Sequence, residues 1–218
     1  MVTRHHFDKE LEELHHELIR MGSMVEESIE NAIYALKKQD IELAKKVLDN
    51  DDAIDAQEKK IERICLMLIA RQQPLAKDLR VISTALKIIT DMERIADHSS
   101  DICEITLRMA NERYVMPLID IPLMAEKAKQ MVNKAIDAYV KRDVELAKEV
   151  CASDDAVDEL FSKITFEVTS IMRNNSEAVE QCVDFILIAK YLERMADHAT
   201  NIGEWVIFSV TGEHMHLN

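Results

Sequence analysis

Asp91-Met-Glu-Arg-Ile-Ala-Asp-His-Ser-Ser-Asp-Ile102 and Tyr191-Leu-Glu-Arg-Met-Ala-Asp-His-Ala-Thr-Asn-Ile202 are two versions of one phrase, 100 residues apart. Neither contains Gly or Pro, and Ile88, Ile89, Met92, Ile95, Ala96 and Ile102 recur at helical spacing, so both phrases are predicted to be helical. On a helix, residues four apart stack on one face. Glu93, Asp97 and Asp101 therefore form a stripe of three acids, which the second copy repeats as Glu193, Asp197 and Asn201. Like charges at this spacing cost about 0.2–0.5 kcal/mol per pair unless a positive group sits among them. The chain accepts that cost twice.

The repetition extends well beyond the phrase. Asn31-Ala-Ile-x-Ala and Asp40-Ile-Glu-Leu-Ala-Lys return 103 residues later as Lys134-Ala-Ile-x-Ala and Asp143-Val-Glu-Leu-Ala-Lys. The shorter offset at the acidic phrase leaves the second copy three residues short, most simply around the loop that holds Gln72 to Arg80 in the first. In the first half, a long amphipathic helix is predicted from Phe7 to Lys38, a second from the N-cap Asp40 to Gln72, and a third from near Pro74 to Asn111. Gly22 inside the first helix costs about 1 kcal/mol relative to Ala, which points to a close helix contact or a slight bend. Pro117 and Pro122 interrupt the pattern, and the plan restarts with a helix over 123–141, a helix from the cap Asp143 to Arg173, and a last helix ending near Gly212. The expected fold is all-α: a three-helix bundle over 1–113, a linker over 114–122 and a similar bundle over 123–218, packed side by side.

Composition agrees with this class and narrows the partners. Of 218 residues, 48% are hydrophobic, enough for a buried core, while three Gly and three Pro leave little material for hairpin turns. A formal charge of −14 argues against sequence-independent binding to nucleic acid and against adsorption on anionic lipid, both of which need basic patches. Proteins or cations are the expected partners. Cys65, Cys103, Cys151 and Cys182 form no CxxC pair and lie in apolar helical stretches, as small core residues of a reducing compartment do. No leader-like amino terminus and no apolar run of about 20 residues is present, so a cytoplasmic protein without direct membrane insertion is expected.

The second helix of each half carries acids where apolar residues belong. Its seam reads Val47, Asp51, Ile54, Glu58, Ile61, Cys65, Leu68 in the first half and Val150, Asp154, Val157, Phe161, Ile164, Val168, Ile171 in the second. A carboxylate on a packing seam is costly unless paired, protonated or bound to a cation. Short connections make the second and third helices antiparallel neighbours. Asp51, Asp55 and Glu58 are then expected to face Glu93, Asp97 and Asp101 across one groove, and Asp154 and Asp158 to face Glu193, Asp197 and Asn201 across another. Such carboxylates suit hard or borderline cations such as Mg, Mn, Fe or Zn. They equally suit solvated helix faces with local ion pairs, as with Arg94 beside Asp97 and His98 beside Asp101.

Other chemistry is weakly signalled. Glu12-x-x-His15 and Glu13-x-x-His16 overlap on one helix, whereas a di-iron bundle takes one such motif from each of two helices. His98 and His198 point partly away from their acidic stripes. No Ser-His-Asp arrangement and no phosphate-cradling Gly loop is present.

Taken together, Phe7-Asp8-x-Glu10-Leu11, the turn Arg71-Gln-Gln-Pro-Leu-Ala-Lys-Asp-Leu-Arg80, the doubled Glu-Arg-x-Ala-Asp-His and Glu204-Trp-Val-Ile-Phe-Ser-Val-Thr-Gly-Glu213 resemble the PhoU family along nearly the whole chain. The resemblance implies two three-helix bundles and a non-enzymatic negative regulator of phosphate uptake. It also implies partners, namely the ATPase subunit of a phosphate ABC transporter and a sensor histidine kinase, with a homodimer expected. Its acid-x-x-x-acid motifs imply divalent or trivalent metal ions (Fe, Zn, Mn or Mg) at Glu93, Asp97, Asp101, Glu193 and Asp197, with Asp51, Asp55, Asp154 and Asp158 as further ligands. Where that family commonly has Gly in the phrase, this chain has Ala96 and Ala196, and Asn201 and Phe161 replace acids of the first half, so the second site is expected to bind fewer or weaker metals. A metal-dependent hydrolase using carboxylate-bound water is the rival reading, and it requires open coordination positions, a base and a substrate pocket.

Overall fold

The structure, a computed structural model, describes residues 2–72 and 74–213. Gln73, in the expected loop, and residues 214–218, in the expected second bundle, lie outside the described residues. The helices run α1 Val2–Lys38, α2 Ile41–Gln72, α3 Ala76–Met109, α4 Asp120–Lys141, α5 Val144–Ala152, α6 Asp155–Asn174 and α7 Val179–Thr211, with a 3₁₀ turn at Ser176–Ala178. No strand occurs among the described residues, and the all-α class is as predicted. α1, α2 and α3 pack on one another as the first bundle, and α4, the α5–α6 pair and α7 form the second.

The apolar periodicity explains these assignments. Leu14, Leu18, Met21, Val25, Ile29 and Leu36 of α1 are all buried, as are the seam residues Val47, Ile54, Ile61, Cys65 and Leu68 of α2. Removing one such side chain, as in Leu18→Ala, costs about 2–5 kcal/mol through lost transfer energy and the cavity left behind. Both predicted N-caps form: Asp40 Oδ1 accepts from the Leu43 amide, and Asp143 Oδ1 accepts from the amides of Glu145 and Leu146. Each is preceded by a left-handed residue, Gln39 (φ 52°) and Arg142 (φ 56°), so the repeat reaches down to the turn geometry.

α1 begins at Val2, ahead of the expected Phe7, and two further boundaries differ from expectation. α4 begins at Asp120, not at Leu123, because Pro122 falls in its first turn, where a missing amide hydrogen costs nothing. The expected single helix from Asp143 to Arg173 is interrupted between α5 and α6. There the amides of Ser153 and Asp154 bond to the carbonyls of Val150 and Cys151 in tight i→i−3 fashion, and Ser153 Oγ donates to the Glu149 carbonyl. The chain stays in the right-handed region at Ser153 and Asp154, so this is a tightened kink in the helix and not a loop.

The bundles dock chiefly through α3 and α7, the helix pair with the most extensive contact. Arg108 reaches Asp184, His98 reaches Tyr191, His198 reaches Asp91 and Thr84 reaches the Trp205 carbonyl. Partner numbers fall on α7 as they rise on α3, so the two helices are antiparallel. α1 and α4 form a second cross-bundle contact. At Gly22 a β-carbon would overlap Ile136 Cδ1, so the predicted close contact is there, and it joins the two bundles. The ten-residue connection between α3 and α4 is pinned from both sides: Gln39 Nε2 donates to the Met109 and Glu112 carbonyls, and buried Gln181 accepts from the Val115 amide.

Candidate functional site

The first groove lies between α2 and α3. Ser100 Oγ on α3 donates to Asp51 Oδ1 on α2 at 3.1 Å, which fixes the register of the two stripes. Burial raises the Asp51 carboxyl above its ordinary range, the Ser100 hydroxyl opposes this, and the charges of Asp97 and Asp55 add to it. Glu58 is raised by burial and then by Asp55 and Glu62. Glu93 is raised by burial, then by Asp97, with Arg94 opposing and Glu58 and Asp55 adding. The structure thus brings Asp51, Asp55, Glu58, Glu93 and Asp97 into one electrostatic neighbourhood. Arg94 enters from the rim, Nη1 at 3.0 Å from Asp97 and Nε at 3.5 Å from Glu93, and Lys59 holds Asp55 at 3.2 Å.

Asp101 is engaged elsewhere, by His98 Nδ1 at 3.2 Å. Residues four apart drift by about 40° around a helix, so by the second step from Glu93 the stripe has turned from α2 toward α7. This is a departure from the expectation that all three acids share one groove.

The second groove lies between the α5–α6 pair and α7, and its acids are Asp154, Asp158, Glu193 and Asp197. Asp154, at the kink, is buried, only 6% exposed. Burial, followed by the charges of Asp197, Asp158 and Glu193, raises its carboxyl to about 6. Asp197, the more open member, is raised by desolvation and by Glu193, with Lys190 opposing. Lys190 Nζ sits 2.5 Å from both carboxylate oxygens of Glu193 and 5.5 Å from the centre of the Phe161 ring. Gly203 permits the close approach of α7 here, since a β-carbon would lie 3.0 Å from both the Ala147 carbonyl oxygen and Cys151 Sγ.

Between the grooves, the α3–α7 contact has a local two-fold character that was not read from the sequence. His98 stacks on Tyr191 with ring centres 5.3 Å apart, and His198 Nδ1 meets Asp91 Oδ1 at 2.8 Å. Residues 91 and 191, and 98 and 198, are repeat equivalents, so each His touches the partner copy's position 91 or 191. The two imidazoles face each other at 5.9 Å. Burial lowers the His98 pKa, with Asp101 opposing, which favours the neutral ring in this packed position. The signal available in the sequence was the repeat itself, but only docking of the halves turns it into contacts.

Among the described residues, no three His, Cys, Asp or Glu side chains converge closely enough to grip an ion as they stand. The chemistry of the donors nevertheless differs between the grooves. The first presents five carboxylates whose burial and mutual repulsion would be relieved by a hard cation, and its basic neighbours Arg94 and Lys59 are 56% and 65% exposed. That donor set fits. In the second, the seam position of Glu58 is taken by Phe161 and both oxygens of Glu193 are taken by Lys190; that set does not fit in the same way. Clefts of about 210 Å³, lined by Ile33, Tyr34 and Lys129, and about 260 Å³, lined by Glu27, Asn31 and Lys46, contain none of the groove acids. All four cysteines are free and buried, and burial pushes Cys65 and Cys103 up to about 12, consistent with inert core thiols.

Duplicated three-helix bundles docked antiparallel, each with a carboxylate groove between its second and third helices, define a class of two-repeat helical proteins. Comparison with known proteins makes the class specific. A family model described as the PhoU domain matches twice, over residues 18–106 and 121–206, and the chain belongs to the PhoU family. It is 43% identical over 218 residues to a phosphate-specific transport system accessory protein PhoU homolog of Clostridium acetobutylicum, covering 100% of both chains. It is 30% identical over 207 residues to the phosphate-specific transport system accessory protein PhoU of Escherichia coli, covering 95% of this chain and 86% of the relative. The crystal structure of PhoU from Pseudomonas aeruginosa superposes with a TM-score of 0.90 at 32% identity, covering 95% of this chain and 100% of that one.

Proposed function

We propose that this chain is a non-catalytic negative regulator of phosphate uptake and of phosphate-starvation signalling. In this reading it is a cytoplasmic adaptor between the ATPase subunit of a phosphate ABC transporter and a sensor histidine kinase. The observation that carries the reading is the 43% identity, over the full length of both chains, to a relative named as an accessory protein of phosphate-specific transport. Two related but unequal bundles supply two different surfaces for two partners. Apolar side chains stand exposed near the α2–α3 turn at Leu66, Leu75 and Leu79, and on α6 and α7 at Phe166, Val179 and Val183, as protein docking requires. No described helix is long and apolar enough to cross a membrane, so the adaptor reaches the transporter through protein contacts. A second copy of the chain is a further proposed partner. The first groove is the proposed site for divalent or trivalent metal ions, held by Asp51, Asp55, Glu93 and Asp97 with Glu58 beside them, and the ion's part is to neutralise the facing helices.

Deleting the gene in phosphate-rich medium is expected to switch starvation genes on and raise phosphate uptake, with both effects abolished when the transporter or kinase gene is also removed. Unchanged uptake and transcription in a strain without a second family member would contradict the assignment.

A further inference from the structure

The two grooves are not two copies of one site. Aligning the repeats sets Glu58 of α2 against Phe161 of α6, and Thr90 of α3 against Lys190 of α7. Both exchanges fall in the same groove, and together they remove one negative charge and add one positive charge. Their side chains meet: the Lys190 ammonium lies 2.5 Å from both oxygens of Glu193 and over the Phe161 ring at 5.5 Å. An ammonium between a carboxylate and an aromatic face is held by charge on one side and by the ring quadrupole on the other. Lys190 and Glu193 are 41% and 14% exposed, against 56% and 20% for Arg94 and the equivalent Glu93 in the first groove, so the second pair is somewhat less screened.

We infer that Lys190, backed by Phe161, is the resident cation of the second groove, so that metal ions load the first groove and are excluded from the second. An incoming ion would have to displace the ammonium from both oxygens of Glu193, which a tethered side chain resists because its effective concentration is high. The inference rests on the reading of the first groove as a cation site, and concerns what this chain's own residues do to a metal's access.

Equilibrium dialysis of the purified full-length chain against Mn²⁺, with folding monitored by circular dichroism, tests it. Wild-type binding is expected to be lost in Asp97→Asn and unchanged in Asp197→Asn. Lys190→Met is expected to add binding at least tenfold tighter than any residual second-groove affinity, about 1.4 kcal/mol, and this gain is expected to vanish when Asp197→Asn is added. Lys190→Arg, which keeps the charge, is expected to add none. Wild-type binding that falls equally in Asp97→Asn and Asp197→Asn would overturn the inference while leaving the metal reading intact. No binding by wild type but a gain in Lys190→Met would overturn the first-groove reading and the loading of metal there, while sustaining the exclusion of metal from the second groove by Lys190. No binding by any variant would overturn both.

Discussion

Asp51 and Asp154 occupy the same place in the two repeats and live differently. Asp51 lies on an uninterrupted α2, half-buried, and receives a hydrogen bond from Ser100 across the groove. Asp154 lies at the α5–α6 kink, buried, with its carboxyl raised to about 6. The counterpart of Ser100 is Thr200, whose buried Oγ1 has no hydrogen-bond partner among the described residues. The difference teaches that a duplicated acidic seam can be kept in two ways. In the first half the acids are held by a polar contact and face one another; in the second they are fewer, one is driven toward protonation, and another is neutralised by Lys190. The backbone records the same divergence, since α2 is continuous and its equivalent is not.

The largest effects should come from cations. If the first groove is the metal site, Mn²⁺ at about 100 times its dissociation constant is expected to stabilise wild type by roughly 2.7 kcal/mol, read as a rise in Tm. Asp97→Asn should remove most of this rise and Asp197→Asn little of it. Equal losses in the two variants would erase the distinction between grooves.

Next in size is the pH dependence of Asp154, measured after chelator treatment. Its folded-state pKa of about 6 lies above the ordinary 3.8, so between those values the folded chain binds a proton that the unfolded chain does not. Asp154 therefore lowers stability at neutral pH, and the loss disappears as pH falls through 6 toward 4. Asp154→Asn is expected to raise stability by roughly 1–3 kcal/mol at pH 7.5 and by almost nothing near pH 4.5. The same gain at both pH values would contradict the shift.

Smaller still is the contrast between Ser100 and Thr200. Ser100→Ala removes a hydrogen bond to a charged group and is expected to cost about 1.5 kcal/mol, whereas Thr200→Val, which removes a buried unbonded hydroxyl, is expected to be neutral or slightly stabilising. Chemical denaturation of the two variants compares them directly, and losses of equal size would show that the grooves are held alike. At the contact between the bundles, Tyr191→Leu should cost about 0.5–1 kcal/mol through loss of the His98 stack. A larger loss in the same assay would mean that docking of the halves rests on that pair.

The repeat made most of the fold legible. The doubled phrase, the caps Asp40 and Asp143 and the apolar spacing of α1 are local features, and local features are what a sequence states directly. Facing stripes followed from short connections, and Asp51 does meet α3 through Ser100. The kink at Ser153–Asp154 was not legible, because neither residue breaks a helix by propensity and the tightening appears only where α7 approaches through Gly203. Asp101 pairs with His98 of its own helix and is not among the main charges acting on Asp51, Glu58 or Glu93, as the drift of a four-residue stripe around its helix allows. The His98–Tyr191 and His198–Asp91 contacts, and the clasp of Lys190 by Glu193 and Phe161, needed the tertiary packing of helices far apart in the chain. The exchanges Glu58/Phe161 and Thr90/Lys190 were nonetheless visible in the repeat alignment, and reading them as a pair would have pointed to the clasp.

The measurement closest to the central claim, that one groove is open to cations and the other carries its own, is an anomalous difference map from crystals grown with Mn²⁺. The account predicts density beside Asp51, Asp55, Glu93 and Asp97, with Lys190 still on Glu193 and no peak among Asp154, Asp158 and Asp197. Peaks of equal height in both grooves, with Lys190 turned out to solvent, would contradict it.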